Sequence, residues 1–151
     1  MFENFITFIQ NQTASNKLQS LDFGSGPGAV LSQLLLRHGH EVSIYDPFFS
    51  PHTKVLESRY DLITSTEVIE HLKDPIKTLT DLLSSLKPQG HLALMTQFHP
   101  QTHDAFFSWW YPRDPTHISF FSTKTLPFLA DTLGLELIDF DKKSHVILKK
   151  A

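Results

Sequence analysis

Three closely spaced glycines are the first residues here able to organise chemistry. Gly24, Gly26 and Gly28 lie in Asp22-Phe23-Gly24-Ser25-Gly26-Pro27-Gly28. Glycine permits a tight turn and lets a ligand approach the backbone closely. A strand-like run, Leu18–Phe23, precedes the loop, and a helix-like run, Ala29–His38, follows it. The start of such a helix offers unpaired N–H groups and a positive dipole end. The same glycines would also serve a plain strand-to-helix turn. Two ligand chemistries compete for the loop. Gly24-x-Gly26-x-x-Ala29 satisfies a dinucleotide fingerprint, and Asp46 lies twenty residues past Gly26, where a ribose-binding acid sits. Asp22 argues the other way. An acid just before the first glycine is expected to point into the ligand crevice, repelling a pyrophosphate and attracting an aminium.

A second group of reactive side chains follows. Glu67, Glu70 and His71 fall at i, i+3 and i+4, so on a helix they share one face. Carboxylates with an imidazole can hold a divalent ion; a helix start with a packed histidine is the plainer reading. His99 and His103, with Asp104 beside the latter, are four apart, and His117 follows Asp114-Pro115. With His71 they could gather at one crevice as a metal or proton-transfer site, since histidine titrates near neutral pH; scattered surface histidines are the alternative. Many of the thirteen Phe and nine His crowd between Phe98 and Phe121, together with Trp109, Trp110 and Tyr111. That segment, within 97–121, reads either as a substrate lid that excludes water or as ordinary core.

These groups need elements to hold them. Phe2, Phe5, Ile6 and Ile9 predict an amphipathic helix over Met1–Gln12, inside an N-terminal arm of residues 1–16 broken by polar Thr13–Asn16. Strands are expected at Leu18–Phe23, Glu41–Tyr45, Tyr60–Ser65 and His91–Thr96. Helical stretches are expected at Ala29–His38, Thr66–Leu72 and Pro75–Leu86, with Pro88-Gln89-Gly90 as a turn. Ser122 reads as the N-cap of a helix running to Leu133 and ended by Gly134. Leu135–Asp141 and Ser144–Lys149 read as a terminal hairpin. Strand–helix alternation implies a parallel sheet covered on both faces, in one domain of 151 residues. The net charge of −3 gives no basic footprint for nucleic acid, and the absence of cysteine removes any disulfide or thiolate metal site. No signal-peptide pattern and no apolar run near the ~20 residues of a membrane span are present, so a cytoplasmic setting is expected.

On these residues a resemblance can be stated. Leu21–Gly28 resembles motif I of the class I S-adenosylmethionine (SAM)-dependent methyltransferases. Val42–Asp46 resembles their second strand, Tyr60–Leu72 their fourth strand and the helix after it, and Leu86–Leu92 the turn into their fifth. Asp114–Ser122 resembles a segment of the branch that includes ubiquinone-biosynthesis O-methyltransferases. The resemblance implies an α/β fold: a single Rossmann-like, doubly wound sheet with an antiparallel C-terminal strand. It implies SAM as cofactor and a small-molecule methyl acceptor. Asp22, Gly24, Ser25, Gly26 and Gly28 would hold the amino-acid part of SAM, Asp46 the ribose, and Thr66 and Glu67 would lie near the sulfonium. His117 and His71 would be the proton-transfer residues. A divalent metal at Glu67, Glu70 and His71 is allowed by the branch but not favoured.

One departure is plain. Only residues 47–60, fourteen in all, separate Asp46 from Asp61. A single parallel crossover takes about a dozen residues, so two crossovers and a strand do not fit. The family's third strand is therefore expected to be missing or vestigial, giving strand order 2-1-4-5-7-6 in family naming and a more open adenine pocket. Two alternatives stay open: a module of this fold with weak or no catalysis, and a nicotinamide-dependent oxidoreductase.

Overall fold

The computed structural model describes residues 1–15 and 17–151; Asn16, at the end of the polar break, lies outside the described residues. One six-stranded sheet organises the chain: β1 Gln19–Phe23, β2 Glu41–Tyr45, β3 Tyr60–Thr66, β4 Leu86–Met95, β5 Leu135–Phe140 and β6 His145–Lys150. Their order is β2-β1-β3-β4-β6-β5. The first four run parallel, and β6 runs antiparallel to both β4 and β5. This is the order expected once the third strand is lost. In its place the chain makes a short return, with Asp46 and Ser50 exchanging backbone hydrogen bonds, and then a 3-10 turn at Thr53–Glu57.

The sheet is apolar on both faces because consecutive apolar residues of its central strands point to opposite sides. Helix α1 (Phe2–Gln12) and helix α2 (Val30–Arg37) cover one face, where Phe5, Ile6, Leu31 and Leu35 meet Leu62, Ala93, Met95 and Ile147. Helix α3 (Pro75–Leu82) and helix α5 (Leu126–Leu133) cover the other, against Ile63, Leu92, Leu94, Val146 and Leu148. Leu62 and Ile63 are neighbours in sequence and fully buried on opposite faces. A one-residue slip of β3 would exchange them, and each such side chain contributes about 1.5–3 kcal/mol through burial, so the register is strongly held. Short helix α4 (His103–Ser108) lies in the segment after β4. No helix among the described residues is long and apolar enough to cross a membrane.

Three local expectations are corrected. Thr66–Leu72 is not helical: Thr66 ends β3 paired with Met95, Glu67 turns the chain at φ +53, and only Ile69–His71 makes a single 3-10 turn. The ladder claims this segment, since the Glu67 amide donates to the Met95 carbonyl at 2.8 Å. Pro88-Gln89-Gly90 lies inside β4 as a bulge, with Tyr60 paired to Leu86 and Leu62 to His91. Ser122 is not the N-cap: α5 starts at Leu126, with Pro127 in the first turn where its missing N–H costs nothing. Ser122 instead exchanges hydrogen bonds with the Thr125 hydroxyl.

Candidate functional site

The glycine loop is pinned from three sides. Gly24 and Gly26 take φ of +79 and +67, and Ala29 takes φ +42 just before α2. The amides of Gly24 and Ser25 both donate to the Tyr45 carbonyl, at 2.7 and 3.3 Å. The Gly26 amide donates to Asp46 Oδ2 at 3.0 Å. A Cβ on Gly24 would stand 2.2 Å from Val68 Cγ2, whereas a Cβ on Gly26 would meet nothing within 4 Å. The loop is thus closed toward β3 and open above Gly26. Between the two glycines, the Ser25 hydroxyl is buried and has no hydrogen-bond partner among the described residues.

The two acids beside the loop sit differently from what was expected. Asp22 does not open into a crevice: it is 1% exposed, with Ser32 Oγ donating to one carboxylate oxygen at 2.7 Å and Thr64 Oγ1 to the other at 3.2 Å. Burial pushes its pKa up, and the two hydroxyls partly offset that. Its carboxyl group therefore sits beneath the loop. Asp46, at the end of β2, is 6% exposed and accepts from the amides of Gly26, Phe48 and Phe49. A carboxylate has about four acceptor sites, so one remains for a ligand hydroxyl.

Across the loop, the end of β3 meets the aromatic segment at Tyr111. This residue is fully buried, and its ring stacks on Trp109 at 4.8 Å. Its hydroxyl donates to Glu70 Oε1, lies 3.1 Å from Glu67 Oε2 and 3.2 Å from Thr96 Oγ1. One phenolic proton faces two carboxylates, so a further proton is favoured on the acids. Burial and then the charge of Glu70 raise Glu67 to about 7, and burial and the acids push Tyr111 up, so the phenol stays protonated.

His117 and His71 are brought together, their ring centroids 4.7 Å apart. His117 Nδ1 bonds the Tyr111 carbonyl at 2.8 Å while its ring packs on the Tyr111 ring at 3.9 Å; His71 Nδ1 bonds the Thr116 carbonyl at 3.0 Å. Glu67, Glu70 and His71, the metal set that was allowed but not favoured, are not the three whose ligand atoms converge. Among the described residues, the ligand atoms within 4.8 Å of one another belong to Glu70, His71 and His117. His99 and His103 stay apart from that group: His99 bonds the Pro100 carbonyl, and His103 is exposed beside Asp104 and Phe107.

Beside Glu67 opens a crevice of about 410 Å³, lined by Met95, Gln97, Phe98, Lys142 and Lys143 among others. The aromatic segment divides between the two readings given for it. Phe106, Trp109, Tyr111 and Phe120 pack together, while Phe107 and Trp110 are 68% and 54% exposed. Sequence reasoning treated Tyr111 only as apolar wall and Lys142-Lys143 only as a turn. A buried tyrosine hydroxyl needs a partner, and that need together with Glu67 and Glu70 was the available signal.

The profile of a methyltransferase domain family matches residues 4–139. The chain belongs to this family. The methyltransferase domain also shares 29% identity over 80 residues with the ubiquinone biosynthesis O-methyltransferase of Serratia proteamaculans, a stretch that is 53% of this chain and 33% of that protein. A counterpart from Vibrio campbellii is 28% identical over 76 residues, 50% of this chain and 32% of its own length. The chain thus spans about a third of the length of these curated relatives. Among solved structures, a Burkholderia thailandensis 1,6-didemethyltoxoflavin-N1-methyltransferase with bound S-adenosylhomocysteine superposes with TM-score 0.75 at 14% identity, covering 99% of this chain and 78% of that one. Magnesium protoporphyrin IX methyltransferase from Synechocystis gives TM-score 0.66 at 13% identity, covering 99% and 82%. These likenesses show the fold, and with the family match they bear out the class I methyltransferase architecture. Family membership sets the nicotinamide reading aside.

Proposed function

We propose that this methyltransferase domain binds SAM over Gly24–Gly28 and transfers its methyl group to an O or N atom of a small, partly apolar acceptor in the crevice beside Glu67. The observation that carries this reading is the loop itself. Gly24 and Gly26 hold a left-handed backbone around an unpartnered Ser25 hydroxyl, with one carboxylate beneath and another at its rim. That arrangement fits a ligand with a cationic amino-acid end and a ribose. Bound there, SAM supplies an electrophilic methyl group on a sulfonium.

The chain's own residues supply the rest. Asp22, fixed by Ser32 and Thr64, places negative charge under the aminium and sulfonium end. Ser25 and the loop amides face the carboxylate end, Asp46 offers its remaining acceptor site to the ribose, and Thr66 and Glu67 flank the reacting side. Methyl transfer depends chiefly on holding nucleophile, methyl carbon and leaving sulfur in line and dry, so positioning carries most of the rate. Glu67 is the acid that lines the crevice, and with a pKa of about 7 it takes the acceptor's proton. His117 and His71 take part by fixing Tyr111 and its loop, because each spends one ring nitrogen on a backbone carbonyl.

One observation favours a second reading, a module of this fold with weak or no turnover. The loop that replaces the third strand already uses most of Asp46. Calorimetric titration with S-adenosylhomocysteine decides first: micromolar binding that Asp46→Ala weakens at least tenfold supports the SAM site, and no heat at millimolar ligand overturns it. Binding without methyl transfer to any phenolic or amine acceptor would leave the second reading standing.

A further inference from the structure

The turn between β5 and β6 carries two exposed lysines at the mouth of the crevice. Asp141 Oδ1 accepts from the amides of Lys143, Ser144 and His145 at 2.7, 2.7 and 3.0 Å, and Oδ2 pairs with His145 at 2.9 Å. The carbonyls of Lys143 and Ser144 accept from the amides of Phe98 and Thr96, at 2.8 and 3.0 Å. The turn is thereby fastened to the exit of β4, and the roots of Lys142 and Lys143 are fixed. Both side chains line the crevice that holds Glu67. Lys142 and Phe98 also line a neighbouring cavity of about 430 Å³ that ends at Phe140, so Lys142 stands between the two spaces.

Neither lysine pairs with an acid among the described residues; Lys17, Lys77 and Lys87 do, and Lys54, Lys73, Lys124, Lys149 and Lys150 do not. Two lysines at one crevice mouth make its potential positive, which favours an anion there. Their place in the sheet assigns the anion. The glycine loop follows β1, whereas these lysines follow β5 and stand beyond β3 and β4. By strand order the lysines are therefore separated from the glycine loop.

Resting on the methyltransferase reading above, we propose that the methyl acceptor is an anion. Its apolar, ring-sized body lies against Met95 and Phe98, a carboxylate or phosphate is held by Lys142 and Lys143, and the atom to be methylated faces Glu67. Lysine suits this task as a compact point charge that takes either anion.

The test is an NMR titration of the full chain, with and without saturating S-adenosylhomocysteine, using benzoate, phenyl phosphate and the neutral isostere benzamide. Benzoate or phenyl phosphate should bind about tenfold or more tightly than benzamide and shift the amides of Gln97 and Phe98. Whichever of the two binds better names the anion. Lys142→Gln with Lys143→Gln should erase the preference while leaving the remainder of the spectrum in place. Equal binding of benzamide, a preference that survives the double variant, or no shift at Gln97 and Phe98 with millimolar probe overturns the proposal. Loss of S-adenosylhomocysteine binding alone would instead overturn the cofactor reading, and the anion preference would still be read from the samples without it.

Discussion

Replacing Gly24 with alanine tests the loop at its tightest point. Two costs add. An L-residue held at φ +79 pays about 1–2 kcal/mol for the left-handed backbone. The new Cβ, 2.2 Å from Val68 Cγ2, forces a shift of the kind that costs about 1–3 kcal/mol in a packed site. Gly24→Ala should therefore destabilise by about 2–5 kcal/mol. Val68→Ala alone removes two half-buried methyl groups and should cost about 1 kcal/mol. In the double variant the 2.2 Å collision is removed and only a 3.3 Å contact with the Cβ of residue 68 is left, while the backbone cost and the lost methyls remain, for a total of about 2–3 kcal/mol. Urea unfolding of the four proteins measures this cycle, and its coupling should favour the double variant by about 1–3 kcal/mol. Affinity for S-adenosylhomocysteine should fall in Gly24→Ala and largely return in the double variant, because the methyl points at Val68 rather than at the ligand. Simple additivity in unfolding, or an affinity that stays lost when Val68 is cut back, would refute the reasoning.

Other outcomes follow from the same contacts. Glu67→Gln should lower turnover by about 10²–10⁴ with S-adenosylhomocysteine affinity unchanged, and in the parent protein turnover should rise with pH through about 7 as Glu67 loses its proton; a flat pH–rate profile removes Glu67 as the base. Asp22→Asn should raise thermal stability, because it removes a buried charge that folding disfavours, yet weaken cofactor binding; calorimetry on the same sample reads both. At Asp141, burial acts to raise the pKa, but three backbone amides and His145 hold it below the ordinary carboxylate value. Its stabilisation is thus complete above the unfolded pKa near 4 and is lost as pH falls through the lower folded value. Asp141→Ala should cost about 1–3 kcal/mol at pH 7 and markedly less in strong acid, as acid and urea melts will show.

Much of the architecture was legible because it is written in punctuation and period. Gly39 and Gly134 end helices at positive φ, and the alternation of β3 and β4 set both faces of the sheet. The missing strand could be read from chain length alone, since residues 47–60 have no room for it. What failed was local propensity against a partner. Thr66–Leu72 has a helical look, but Met95, almost thirty residues later, offers its carbonyl to Glu67 and keeps the strand going. The same non-local pairing hid the acid cluster: spacing put Glu67 beside His71, and the fold put it beside Tyr111. Asp22 was placed correctly in the chain and wrongly in space, because Ser32 and Thr64, which turn it inward, belong to two other elements.

The short return after β2 also bears on how this protein behaves at high concentration. Losing the third strand leaves β2 at the border of the sheet, and an unguarded border strand is a template for pairing with other molecules. The Glu41 amide and the Tyr45 carbonyl turn toward β1, so the peptide groups of Asp46, one residue on, turn outward. Ser50 folds back onto those outward groups and occupies the position that the next strand of an aggregate would take. The fourteen residues that shortened the domain thus also cover the end of that border, and trimming Pro47–Ser50 further should leave the peptide groups of Asp46 open to pairing with other molecules.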